Sequence, residues 1–147
     1  GIEVYRPFLV HSGQQEGLSF INSDMVEKIL FSAGGFESKY GDKMSSVLDI
    51  TYKTPTKNKA SLQMSLLGGS AHFEGITSNN KFSYLFGFRN KSNQYLLNAM
   101  DTRGEYKPNF SDAQTYLRYQ LKDNWEISFL ANISQNKYQR LLIAVIR

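Results

Sequence analysis

The chain has 147 residues, 41% of them hydrophobic and 14% aromatic, which suits one domain with a core of its own. It contains no cysteine, so thiolate metal sites, disulfide frameworks and thiol nucleophiles are excluded. The net charge of +4 is dispersed, without the clustering that a nucleic-acid footprint requires, and His11 and His72 stand too far apart for a local metal motif.

Residues 1–6 read as the inside of a strand rather than as a secretory leader. The longest apolar run, residues 141–146, falls far short of the roughly 20 residues that a spanning helix needs. Membrane helices are therefore not expected. A membrane β-barrel stays open, because its alternating strands leave no hydropathy peak.

Asn22-Ser23-Asp24-Met25 offers capping side chains for one helical turn. Residues 26–32 then read as a strand, Ala33-Gly34-Gly35-Phe36 as a break, and residues 45–53 as a second strand. Charges nearly cancel up to Thr54-Pro55-Thr56-Lys57-Asn58 and become basic beyond it, where most aromatics also lie. We therefore divide the chain into a first piece (1–53), a linker (54–58), a strand-rich piece (59–138) and an atypical tail (139–147).

In the strand-rich piece the period is two. Phe82, Tyr84, Phe86 and Phe88 share one face against Ser83, Leu85, Gly87 and Arg89. Leu117, Tyr119 and Leu121 do the same on the next run, as do Trp125, Ile127, Phe129, Ala131 and Ile133 after it. Leu62, Met64 and Leu66 change phase at Gly68-Gly69, which predicts a tight hairpin there, with a bulge as the alternative. Five strands follow: 59–67, 70–75, 81–91, 111–122 and 124–138. The turns at 77–80 and 122–124 are short, whereas 92–109 is a long polar connection. The expected fold is all-β, mainly antiparallel. Such faces could close a soluble sandwich, or meet lipid while the polar side lines a wet lumen.

The segment Gly34-Gly35-Phe36-Glu37-Ser38-Lys39-Tyr40-Gly41-Asp42-Lys43-Met44-Ser45-Ser46-Val47-Leu48-Asp49-Ile50 resembles the end of the plug domain of TonB-dependent outer-membrane receptors. Ile21 through Ile29 resembles the short helix and strand before it. Ala71-His72-Phe73-Glu74-Gly75, the Phe88-Arg89 strand, Gly104 through Asp112 and Asn132 through Tyr138 resemble barrel segments in family order. Where the family often carries Arg-Gly-Pro before the Tyr-Gly pair, this chain has Ser32-Ala33-Gly34-Gly35, so a salt bridge from that arginine is not carried over.

The resemblance implies a fragment of a plugged transmembrane β-barrel of about 22 strands in the bacterial outer membrane. It implies capture of an external ligand, import with TonB-coupled energy, lipid as a partner, and TonB contact through a plug segment not present in this chain. Under it, Asp42, Lys43, Glu74 and Arg89 are candidates for plug-to-barrel contact, with Asp49 beside them. Tyr95, Tyr106 and Phe110 of the long connection are candidates for stacking on a ligand. The ligand itself is not specified. Asp101, Glu105 and Asp112 lack the spacing of a calcium loop, and Ser45-Ser46 lacks a nucleophile setting, so no metal, cofactor or catalysis is expected. The alternative is a soluble all-β module that binds carbohydrate or protein and has no membrane role.

Overall fold

A computed structural model describes residues 3–4, 19–35, 37–41, 46–92, 109–122, 124–136 and 139–146. The architecture is all-β and antiparallel. A small sheet pairs β1 (Val26–Ala33) with β2 (Ser46–Tyr52), and a large sheet holds β3 (Lys59–Ser65), β4 (Gly68–Ile76), β5 (Phe82–Ser92), β6 (Asn109–Lys122), β7 (Trp125–Asn136) and β8 (Gln139–Ile146). In the large sheet each strand lies beside its chain neighbours, in the order β3-β4-β5-β6-β7-β8. Short turns between alternating runs leave little choice but this meander.

Two boundaries differ from expectation. The β3–β4 turn is Leu66-Leu67, with Ser65 opposite Gly68, rather than Gly68-Gly69. The Ser65 hydroxyl accepts from the Leu67 amide (3.2 Å) and donates to the Gly68 carbonyl (3.2 Å), which holds the turn without glycine. Gly68 instead permits a close approach. Its φ is +136°, and a β-carbon there would lie 2.0 Å from the Asn90 carbonyl oxygen of β5. Residues 139–146, where the alternation lapses, form β8 and pair with residues 129–136, so the large sheet has six strands rather than five.

The two faces of the large sheet divide the side chains against the usual pattern of burial. Phe73, Phe86, Phe88, Tyr119, Leu121, Trp125, Ile127 and Ile133 are exposed on one face, Trp125 by 69%. His72, Glu74, Asp112, Gln114, Asn132 and Ser134 are buried on the other, beside Leu85, Phe110 and Leu130. The exposed face carries an aromatic file along β5, with Phe82, Tyr84 and Phe86 ring centroids 6.4 and 5.7 Å apart. Tyr84 fills the space over Gly75, where a β-carbon would come 2.3 Å from its ring. Burial of polar groups and exposure of a large apolar patch are the two informative deviations from ordinary burial.

What buries the polar face is the N-terminal part of the chain. Asn22 caps a short 3-10 turn (Ser23–Met25), its side-chain oxygen accepting from the Asp24 amide at 3.1 Å. Met25 and Phe20 are buried against the sheet. The chain leaves as β1 and returns along β2. On its return the Lys53 amide donates to the Met25 carbonyl (2.9 Å), and the Lys53 ammonium donates to the Asp24 carbonyl (2.6 Å).

Candidate functional site

The contact between residues 19–25 and the polar face is built in rows, because antiparallel register places one residue of each strand side by side. The upper row runs Ser70, Arg89, Asp112, Ser134. Arg89 forks onto Asp112 through Nε (2.8 Å) and Nη2 (2.9 Å). Its remaining donors reach the other chain segment: Nη1 donates to the Ile21 carbonyl (2.7 Å) and Nη2 to the Ser19 carbonyl (3.1 Å). The planar fork suits this double duty, since guanidinium carries five donors in fixed directions. The Asp112 side chain is fully buried, so its charge depends on Arg89 and on the Asn132 amide, which donates to it at 3.4 Å.

One step down, the row is His72, Gly87, Gln114, Asn132. Gln114 donates to the Phe20 carbonyl at 3.4 Å, so three successive carbonyls of the segment meet the sheet. Gly87 is the seat of the contact. A β-carbon there would lie 2.2 Å from the Asn22 amide nitrogen and 2.7 Å from the Met25 sulfur. The third row, Glu74, Leu85, Tyr116, Leu130, is largely apolar. Tyr52 of β2 stacks on Tyr116, with ring centroids 4.8 Å apart and an interplanar angle of 25°. Burial drives the Tyr52 phenol well above the ordinary tyrosine range and Tyr116 adds to it, while Gln114 and Arg89 pull the other way.

Two further ion pairs lie within the sheet. Arg118 binds Glu126 through Nε (3.1 Å) and Nη2 (2.5 Å), and its Nη1 donates to the Thr54 hydroxyl (2.6 Å). Glu74 faces Lys59 at 3.2 Å and His72 at 3.6 Å. Ser70 donates to the Asp24 carboxylate at 3.3 Å. In the N-terminal part the Tyr40 hydroxyl donates to Asp49, and that bond is the main reason its phenol titrates above the ordinary range.

Of the expected site residues, Arg89 touches the N-terminal segment, but through backbone carbonyls. Glu74 and Arg89 lie in different rows of the sheet. Glu74 stands opposite Leu85, and Arg89 opposite Ser70. Asp49 is taken by Tyr40 within the N-terminal part. Phe110 is not in the long connection: it is the second residue of β6, buried on the polar face. Asp42, Lys43, Tyr95 and Tyr106 lie outside the described residues, as do Asp101 and Glu105, while Asp112 is engaged by Arg89. Among the described residues no group of three or more His, Cys, Asp or Glu could hold a metal ion, and no helix is long and apolar enough to cross a membrane.

Sequence reasoning missed Asn22, Met25, Gly87, Gln114 and the pairing of Asp112. Gly87 carried a signal, since a glycine inside a strand marks the close approach of another backbone or ligand. What the arrangement supplies is an anchor, with donors on a rigid sheet aimed at the carbonyls of one docked segment. No protein-family model, curated protein or solved structure matches this chain.

Proposed function

We propose that the chain is part of a TonB-dependent outer-membrane receptor, which captures an external ligand and imports it with TonB-coupled energy. In this reading residues 19–53 belong to the end of the plug and the large sheet to the first strands of the barrel wall, one face against lipid and the other against the plug. The observation that carries it is the inverted burial: Phe86, Phe88 and Ile127 are exposed while Asp112, Gln114 and Asn132 are covered. From Trp125 to Ile133 the apolar face extends roughly 26 Å along β7, or about 20 Å at the usual strand tilt. That is close to the ~25 Å apolar band of an outer-membrane barrel. Above it the exposed face turns polar, where the Asn90 amide donates to Asn109 (3.0 Å) and Ser111 (2.8 Å).

Trp125 is the single tryptophan and stands at the lower rim of the apolar face, which makes it a depth gauge. In lipid vesicles its emission should shift to the blue and be quenched more by lipids brominated near the headgroup than by those brominated near the chain end. Emission unchanged by vesicles, from a monodisperse monomer in plain buffer, would refute the membrane reading and favour the soluble binding module.

A further inference from the structure

The short connections at the Trp125 end of the large sheet each carry a lysine: Lys57 in the approach to β3, Lys81 between β4 and β5, and Lys122 at the end of β6. All three are exposed, and none joins an ion pair among the described residues. The backbone at each is tied to a strand end. Lys81 is held on both sides, its amide donating to the Asn79 side chain (3.1 Å) and its carbonyl accepting from the Gln120 amide (2.8 Å). The Lys122 carbonyl accepts from the Gln120 side chain (2.9 Å), and the Asn58 side chain, next to Lys57, accepts from the Ile76 amide (3.2 Å).

Residues 56–58, 77–81 and 122–124 hold one acid, Asp123, against these three lysines, which leaves a net charge of +2. The acids nearest them in the sheet do not offset it, because Glu126 is taken by Arg118 and Glu74 by Lys59. Lysines in turns are ordinary on a solvated surface. What singles these out is their place at the rim of an exposed apolar face. Trp125 stands opposite Lys122, and Leu121 and Tyr119 continue the face from there. From the approach to β3 as far as β6 is three strand spacings, so the lysines spread over roughly 14 Å of one rim.

We propose that this rim docks onto an anionic phospholipid surface, its three ammonium groups meeting headgroup phosphates while Trp125 and Leu121 enter the apolar layer. The proposal rests on the membrane reading and adds to it which end of the sheet faces acidic lipid. Lysine suits the place, since its stem lies along apolar surface while the ammonium stays at headgroup depth. Each such cation beside an anionic leaflet strengthens association by about fivefold.

Vesicles of phosphatidylcholine, with and without phosphatidylglycerol, test this on the full chain at low salt, with Trp125 emission reporting the binding constant. Phosphatidylglycerol should tighten association roughly a hundredfold through the three lysines, and the gain should fade as salt screens the charges. Lys57→Gln, Lys81→Gln and Lys122→Gln combined should remove most of that gain. A control that deletes the same charge away from this rim, Lys28→Gln with Lys39→Gln and Lys91→Gln, should keep it. A rim variant that keeps the gain, or equal loss in rim variant and control, overturns the proposal. So does an equal emission shift and affinity in both lipids, which leaves the membrane reading standing. No shift in either lipid refutes the membrane reading and the proposal with it. Inorganic phosphate that displaces the chain more than chloride does at equal ionic strength would mark a site for the free anion, and overturns the phospholipid surface.

Discussion

Arg89 can sit beneath a docked segment because Asp112 meets it from the neighbouring strand, and each would be a liability alone. Arg89→Met leaves a fully buried carboxylate unpaired and should lower unfolding stability in micelles by about 3–5 kcal/mol. Changing Arg89→Met together with Asp112→Leu should recover most of that loss. The double variant still lacks the bonds to the Ser19 and Ile21 carbonyls, so limited proteolysis should cut the N-terminal segment faster in it than in the parent chain. Tyr52 gives a second residue-scale expectation, and its sign follows from burial of a neutral phenol. Its folded pKa lies above the unfolded value of about 10, so its contribution is intact below that pH and is lost as pH climbs through the interval above it. In an ultraviolet titration, the difference between the parent chain and Tyr52→Phe should be confined to that alkaline range.

At the scale of elements, the strands were legible because a half-buried strand must alternate, and β5 and β6 do so over their first halves and β7 over its second. What was not legible needed register. Glu74 and Arg89 both face inward, but only the pairing of Ser70 with Arg89 shows that they stand in different rows. Asp112 is separated from Arg89 by the long connection, and only the β5–β6 ladder brings them side by side. The paired glycines misled for a similar reason. A turn and a close approach both favour glycine, and Gly68 serves the second. Gly87 offers the sharper test, since its backbone does not have a positive φ and alanine there meets no conformational penalty. Gly87→Ala should leave the sheet intact by circular dichroism. It should weaken docking of residues 19–25 by about 1–3 kcal/mol, through the clash with Asn22 and Met25, as read by exchange of the Met25 amide.

The whole molecule is distinguished by which face lies outside, and a charge placed there separates water from lipid. Phe86, 41% exposed, lies in the middle rows of the apolar face and Trp125 at its rim. In lipid, Phe86→Arg should cost about 2–4 kcal/mol in the folding equilibrium and Trp125→Arg about 0–1 beyond the lost ring contacts. In water, substitutions at such exposed sites would each change stability by only about 0.5 kcal/mol, with no dependence on height along the strand. The meander has one more consequence, and it concerns time. Each strand from β4 to β7 finds both its partners next door in the chain, so the sheet can lengthen hairpin by hairpin with short searches. Lengthening the β4–β5 turn should therefore slow folding more than the same insertion in the stretch before β3, as read by stopped-flow refolding.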